Sequence, residues 1–199
     1  HKNKGAKNKM VGIKSDVGVV RSLNEDYAGY IEEPRYRLYV VADGMGGHNA
    51  GEVASKIAVD TVKAYVRDNY ENEGSSVLEN AVSFANSKIY ESATSGSEYR
   101  GMGTTLVAAL ISNGEIIIAN VGDSSCFGIK DSTIVKITKD HSLVQELIDS
   151  GTITEEEGRN HPKKNVITRA LGTNNIVKID IFKYDLSSYD KYLLFKVLS

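Results

Sequence analysis

The hydrophobic pattern changes its period part-way along the chain, and this change restricts the fold more than any other sequence feature. Apolar residues recur at helical spacing over residues 50–66 and again over residues 77–89, which predicts two amphipathic helices. Over residues 104–138 the spacing becomes that of strands. Two helices followed by antiparallel strands indicate an α+β fold and not an alternating, parallel one.

The strand region predicts two hairpins. Residues 105–111 and 115–121 flank Asn113-Gly114, a pair that favours a tight two-residue turn. Residues 125–130 and 134–138 flank Asp131-Ser132-Thr133, whose polar residues are typical of turns. The strands of each hairpin are therefore expected to be antiparallel neighbours.

Shorter elements are predicted on both sides of the hairpins. Residues 143–149 have the pattern of a helix that Gly151 ends. Thr154 and Glu157 fit a capping box at the start of another short helix. Further strands are predicted at residues 11–20, 38–42, 165–170, 177–184 and 191–198.

Length and charge exclude several classes of protein. The chain has 199 residues, a length typical of one domain. Its 24 basic and 26 acidic residues give a net charge of −2, which provides no overall attraction to nucleic acid or to an anionic membrane. No apolar run reaches the roughly 18 residues of a membrane span. Neither nucleic acid nor a membrane is expected as a partner.

The single cysteine, Cys126, allows no internal disulfide and favours a reducing compartment, so we predict a cytoplasmic protein. Its position in a strand indicates a small core residue and not a nucleophile. Residues 1–9 contain four lysines and no hydrophobic stretch. They are predicted to be a tag or disordered tail before a domain at 10–199; a basic arm for an acidic partner is the alternative.

Acidic residues lie where strands are predicted to end. Asp43 ends one apolar strand, and Asp123 follows another. Glu25-Asp26 comes after the predicted strand at residues 11–20. A carboxylate in such a place must be solvated, paired or bound to a cation. Oxygen ligands of this kind suit Mg²⁺ or Mn²⁺ better than zinc. Each of these sites taken alone is more often an ordinary turn or loop.

An arginine and a glycine-rich segment accompany the carboxylates. Arg21 lies four residues before Glu25, and a guanidinium is a suitable bidentate ligand for phosphate. The glycines after Asp43 leave the backbone open to close approach by a metal or its water. No Lys-Ser or Lys-Thr follows them, which rejects a Walker-type loop. Metal carboxylates with an arginine suggest phosphoester hydrolysis by metal-activated water.

Several short motifs occur together and in a specific order. They are Asp16-Val17-Gly18, Arg21-Ser22-Leu23-Asn24-Glu25-Asp26, Val41-Ala42-Asp43-Gly44-Met45-Gly46-Gly47-His48, Gly51-Glu52, Gly101-Met102-Gly103-Thr104-Thr105, Asn120-Val121-Gly122-Asp123-Ser124, Asp140-His141-Ser142 and Thr168-Arg169-Ala170-Leu171-Gly172. With them, residues 11–194 resemble the bacterial form of the metal-dependent protein serine/threonine phosphatases of type 2C. This resemblance implies a four-layer αββα sandwich of two antiparallel sheets flanked by helices, with a flap at about 141–171.

The resemblance also implies a metal ligand set at one end of the sandwich. Asp43 would bridge two core ions of Mn²⁺ or Mg²⁺, and the carbonyl of Gly44 would bind one of them. Glu25 would bind the second ion directly, while Asp26 would act mostly through water. Asp123 would help to hold a third, weaker ion.

In the mechanism implied by the resemblance, water activated by the two ions attacks the phosphorus of phosphoserine or phosphothreonine in proteins, and no phospho-enzyme forms. Arg21 would bind the phosphate, and Asp43 would act in catalysis through the ions. Met45 stands where eukaryotic members have a histidine, and His48, three residues later, does not simply take over that role. Metal-bound water or another residue is therefore expected to protonate the leaving group, and His48 is either a candidate donor or a residue at the start of the helix. The implied partners are a cognate serine/threonine kinase and its substrates, and a monomer is expected.

The chain departs from the family pattern after residue 194. The family continues into a Ser-Asp-Gly whose aspartate binds a core ion, whereas this chain reads Phe195-Lys196-Val197-Leu198-Ser199. Truncation is the favoured interpretation, and a natural variant with reduced metal affinity is the other. A catalytically silent module that binds phosphoproteins is therefore an alternative function, and hydrolysis of small phosphoesters is a third.

Overall fold

The structure is a computed structural model that describes residue 12 and residues 25–47, 49–96 and 99–196. In these residues the elements follow in the order β1 (Asp26–Glu32), β2 (Arg37–Met45), α1 (Ala50–Glu73), α2 (Val77–Ser95), β3 (Gly103–Thr104), β4 (Leu106–Ser112), β5 (Glu115–Val121), β6 (Ser125–Lys130), β7 (Thr133–Lys136), α3 (Leu143–Asp149), α4 (Glu155–Arg159), β8 (Asp180–Asp185) and β9 (Lys191–Phe195). The predicted strand at 11–20 and the predicted tail lie outside the described residues.

The strands form two antiparallel sheets, which confirms the α+β class. The large sheet has the order β1-β2-β4-β5-β8, and β3 pairs with the end of β2. The small sheet has the order β7-β6-β9. Both predicted hairpins are present, as β4–β5 and β6–β7. In the first hairpin Asn113 and Gly114 both have positive φ, 49° and 80°, as a two-residue hairpin turn requires.

Two apolar cores separate the layers. The larger core lies between α1, α2 and one face of the large sheet, and it includes the fully buried Val62, Leu78 and Ile89. The smaller core lies between the two sheets and includes Ile118 and Cys126. The described elements thus supply three layers of the implied sandwich, with helices on one side, while α3 and α4 belong to the segment 141–171.

Most helices and strands are a few residues longer or shorter than predicted. Helix α1 continues beyond residue 66 to Glu73, where Gly74 with a φ of 54° ends it. The capping box of Thr154 and Glu157 is present at α4, and Gly151 with a φ of 70° follows α3. Strand β8 begins at Asp180, three residues later than predicted.

The predicted strand at 165–170 is wrong. This segment is mostly irregular, and it forms one isolated bridge, between Ile167 and Ser142. The pairing cannot continue because α3 begins at Leu143, so the partner backbone leaves the extended conformation directly after Ser142. No helix in the described ranges is long and apolar enough to span a bilayer.

Candidate functional site

Antiparallel pairing of β1 with β2 brings two predicted ligands together. Asp26, at the start of β1, lies opposite Asp43, near the end of β2. Both carboxylates are mostly buried, with 16% and 14% of their side chains exposed. A single strand pair therefore creates a site with two close negative charges in a partly water-excluded place, which requires positive charge nearby.

That positive charge is supplied by Lys196, which directly follows β9. Its Nζ lies 2.6 Å from Oδ1 of Asp26 and 3.4 Å from Oδ1 of Asp43. The lysine side chain is itself only 14% exposed. The ammonium is thus held between the two carboxylates and is not a solvated surface group.

The contact with Lys196 does not cancel the effect of burial on Asp43. Burial raises the pKa of Asp43 to about 6; the attraction of Lys196 opposes this shift, and the neighbouring carboxylate of Asp26 adds to it. Within the part of the chain that the structure describes, the cluster consists of two carboxylates and one ammonium. A divalent cation supplies twice the charge of an ammonium to such a pair.

Close contact between β2 and α1 holds Glu25 beside this pair. The Gly44 amide donates to the Glu25 carbonyl at 3.0 Å, and the buried Ser55 hydroxyl donates to the same carbonyl at 2.7 Å. A Cβ on Gly44 would overlap the carbonyl oxygen of Gly51, and one on Gly51 would lie 2.6 Å from Oε1 of Glu25. Only glycine permits this approach, which places the Glu25 carboxylate against the first turn of α1.

Glu25 and Asp43 line a cleft of about 330 Å³. Its lining comes from the ends of β1 and β2 and from the segment 141–171: Glu25, Asp43, Gly44, Met45, Gly46, Asn165 and Ile167. A group bound to Asp43 in this cleft would therefore also face the segment that was predicted to be a flap.

Thr105 links Asp43 to the loop that carries Asp123. Its amide donates to the Asp43 carbonyl at 2.9 Å, and its hydroxyl accepts a bond from the Asp43 amide at 3.3 Å. The same hydroxyl lies 2.6 Å from that of Ser124. Burial raises the pKa of Asp123 above its usual range. The described residues contain no group of three or more His, Cys, Asp or Glu side chains arranged to hold a metal.

A second polar cluster lies behind the Asp123 loop. Nδ1 of the buried His141 accepts a bond from the Gly122 amide at 3.0 Å. Its Nε2 therefore carries a proton, which it donates to Oδ2 of Asp180 at 2.9 Å. Arg169 donates from Nη1 to Oδ1 of Asp180 at 3.0 Å. These contacts connect both ends of the segment 141–171 to β8 and to the loop after β5.

The donor chemistry of the first cluster fits a hard divalent cation. Glu25 and Asp43 offer carboxylate oxygens at the cleft, which Gly44 also lines, and Asp26 adds a carboxylate opposite Asp43. Oxygen donors of this kind suit Mg²⁺ and Mn²⁺. The Lys196 ammonium acts as a stand-in ion, because it shows that the carboxylate pair accepts a cation in this place.

Comparison with known proteins identifies the family. Residues 19–181 match the family model described as Protein phosphatase 2C. The chain is 40% identical to the serine/threonine phosphatase stp of Listeria welshimeri over 187 residues, which are 92% of this chain and 74% of that protein. It is 37% identical to protein phosphatase PhpP of Streptococcus pneumoniae over 188 residues, 92% of this chain and 76% of that protein. The chain belongs to the protein phosphatase 2C family.

Solved structures agree with this assignment. The crystal structure of the serine/threonine phosphatase Stp1 from Staphylococcus aureus has a TM-score of 0.82 at 42% identity, over 90% of this chain and 72% of that one. The catalytic domain of PstP, solved with two manganese ions, has a TM-score of 0.74 at 34% identity, over 91% and 74%. The resemblance inferred from the motifs is confirmed, and so is the enzyme class of protein phosphatase, a hydrolase of phosphoric monoesters.

The structure of this phosphatase does not reach every predicted site residue. Arg21 and His48 lie outside the described residues, so their roles stay predictions. Cys126 is fully buried, and burial raises the pKa of its thiol to about 12, which confirms a core residue.

Sequence reasoning missed Lys196 as a member of the site. The period-2 pattern of β9 was visible in the sequence, but its pairing with β6 was not.

Proposed function

We propose that this phosphatase hydrolyses phosphoserine and phosphothreonine in proteins, using two ions of Mn²⁺ or Mg²⁺. The observation that carries the proposal is the buried pair of Asp26 and Asp43 around a positive charge, at the edge of a cleft. The relatives named as serine/threonine phosphatases support the substrate class. The PstP structure with two manganese ions supports the cofactor.

Four groups of this chain would hold the core ions. They are the carboxylates of Asp43, Glu25 and Asp26 and the carbonyl of Gly44, and Asp123 would serve a third, weaker ion. When bound, the ions acidify water and neutralise the negative charge of a phosphoryl group. Asp43 has the central position in the set, because it adjoins Asp26 across the strand pair and faces the cleft shared with Glu25.

The remaining residues orient these groups and shape the cleft. The contact between Gly44 and Gly51 fixes the end of β2 against α1, and Thr105 ties the backbone of Asp43 to the loop of Asp123. Arg21 is proposed to bind the substrate phosphate. Met45 has no proton to donate, so protonation of the leaving group requires another donor: metal-bound water, His48 or a further residue.

The location, oligomeric state and partners of this phosphatase are also proposals. A cytoplasmic monomer whose partners are phosphorylated proteins, among them a cognate serine/threonine kinase and its substrates, fits the family and the relatives named above. The flap at 141–171 would face these substrates, because Asn165 and Ile167 line the cleft.

The first test is phosphate release from a phosphothreonine peptide, measured with millimolar Mn²⁺ and with excess chelator. We expect turnover only with Mn²⁺. Asp43→Asn should lower it about 10³-fold, since both charge stabilisation and water activation depend on this carboxylate. Asp60→Asn, an exposed acidic position on α1, is the matched control and should retain activity.

Three outcomes would contradict the proposal. Release that is unchanged by chelator, or by Asp43→Asn, would exclude the proposed centre. Tight phosphopeptide binding without release would support the silent binding module. Faster turnover of small aryl phosphates than of phosphopeptides would move the substrate class to small phosphoesters.

A further inference from the structure

We propose that Lys196 is an internal competitor of the metal: its ammonium occupies the position between Asp26 and Asp43, and a divalent ion binds both carboxylates only after this side chain has left. The inference rests on the proposed function, because it concerns the same carboxylates. Beyond the proposed function, it assigns to Lys196 a role in regulating metal occupancy. A protonated lysine has no ligand atom for a metal, so this role is not that of a ligand.

Strand geometry directs Lys196 into the site. In β9, Tyr192 and Leu194 pack against the core between the sheets, whereas Leu193 and Phe195 are partly exposed on the other face. Side chains alternate along a strand, so the next inward position after Leu194 is Lys196. Phe195 pairs with Ser125 at the start of β6, which fixes how far β9 reaches towards the ends of β1 and β2.

An inward lysine at this point must be paired. Its side chain is 14% exposed, and a buried ammonium without a partner is strongly unfavourable. Asp26 supplies the shorter contact at 2.6 Å and Asp43 the longer one at 3.4 Å. The position of the ammonium is therefore set by the fold and by two carboxylates together, and this explains why it is not free to point into solvent.

The ammonium and a divalent ion exclude one another. Both would contact the carboxylates of Asp26 and Asp43, and two cations within a few ångströms repel each other strongly in a partly buried place. Metal binding to the pair must therefore break two ion contacts of Lys196 and move its charge into water. The long, flexible stem of lysine makes that movement feasible without unfolding β9. The expected consequence is an affinity for the metal that is weaker than the carboxylates alone would give.

The experiment is a Mn²⁺ titration of the 199-residue chain, with free Mn²⁺ followed by its electron paramagnetic resonance signal. Lys196→Met keeps a long unbranched side chain and removes the charge. We expect its Mn²⁺ dissociation constant to be lower by about tenfold or more, as the loss of one partly buried charge competitor implies. Lys196→Arg keeps the charge and should bind Mn²⁺ as weakly as the unmodified chain. Lys191→Met changes an exposed lysine of the same strand and should alter the constant by less than about twofold.

Thermal unfolding gives an independent readout. In chelator, Lys196→Met should melt below the unmodified chain, because Asp26 and Asp43 lose their counter-charge. Saturating Mn²⁺ should raise its melting temperature by more than it raises that of the unmodified chain, since binding to the native state adds stability. Lys196→Gln keeps a polar end. It should also melt at a lower temperature in chelator and gain more from saturating Mn²⁺ than the unmodified chain.

The outcomes separate this inference from the proposed function. An unchanged or weaker Mn²⁺ affinity in Lys196→Met, or a melting temperature that Mn²⁺ raises no more than in the unmodified chain, overturns the competitor role whatever the phosphatase assay shows. Chelator-insensitive phosphate release would overturn the proposed function, while the Mn²⁺ titration would still decide whether Lys196 and the metal compete.

Discussion

Two polar clusters of this phosphatase contain similar groups but differ in electrostatic balance. In one, Asp180 accepts bonds from both His141 and Arg169. Burial alone would raise the pKa of Asp180, but these donors outweigh it and hold the pKa below its usual range. In the other, Asp26 and Asp43 both contact the ammonium of Lys196, and burial raises the pKa of Asp43 to about 6.

The difference separates a cluster whose polar groups satisfy one another from the pair that we propose to bind metal. The His141 cluster closes the base of the segment 141–171: His141 donates from its amide to the Gly122 carbonyl at 3.0 Å, and Thr168 donates to the His141 carbonyl at 2.9 Å. Its polar groups satisfy one another. In the carboxylate pair, burial disfavours the charged form of Asp43, and titratable groups perturbed in this way are typical of binding and catalytic sites.

The largest expected effect is in the His141 cluster. His141→Ala should lower the free energy of unfolding by about 2–4 kcal/mol, because it leaves the Gly122 amide and one oxygen of Asp180 without their partner. Urea unfolding in chelator measures this change. His161→Ala is the control, since that ring accepts one bond from the Lys163 amide in an exposed place, and it should cost about 1 kcal/mol or less. Equal losses in the two variants would remove the distinction between the clusters.

A smaller effect of opposite sign is expected in the carboxylate cluster. In chelator, Asp43→Asn should raise the free energy of unfolding by about 1–2 kcal/mol, because it removes a buried charge whose ionisation the fold disfavours. Asp180→Asn should instead lower it by about 1–2 kcal/mol, through loss of charge-assisted hydrogen bonds. Urea unfolding of both variants at pH 7 compares them. A loss of stability in Asp43→Asn would show that Lys196 compensates the pair fully.

Much of this fold was predictable because its elements have strong local signals. The stripes of α1 and α2 follow the helical period, and the Asn113-Gly114 turn fixes the hairpin of β4 and β5. Asp43 and Glu25 were recognisable from their places at strand ends and in ordered motifs. The prediction of a strand at 165–170 was wrong because the backbone that pairs with it enters α3. The local pattern of residues 165–170 carries no information about that partner.

The two clusters themselves required tertiary information. Lys196 reaches Asp26 and Asp43 across 170 and 153 residues of sequence, by virtue of the β6–β9 pairing and the packing of the two sheets. His141 lies 39 residues from Asp180 and 28 from Arg169. No local period or turn residue encodes such contacts, so they could be found only once sheet order and register were known.

The pH dependence of stability in chelator, measured as a slope per pH unit, also has opposite signs in the two clusters. For Asp43 the folded pKa of about 6 lies above the ordinary value of about 3.9. Between these values the native state binds more protons, so the contribution of Asp43 to stability falls as pH rises from about 4 to about 6. For Asp180 the folded pKa is lowered, so its contribution is present above about pH 4 and is lost as pH falls through the folded pKa.

Urea unfolding between pH 3 and 7 separates these contributions. One proton limits each slope to about 1.4 kcal/mol per pH unit. Asp43→Asn should remove the decline between pH 4 and 6 and leave the loss below pH 4 unchanged, whereas Asp180→Asn should weaken only the acid loss. If both variants removed the pH dependence of the free energy of unfolding over the same pH range, Asp43 and Asp180 would have pKa values shifted in the same direction. Such a result would contradict the proposed contrast between the His141 cluster and the carboxylate pair.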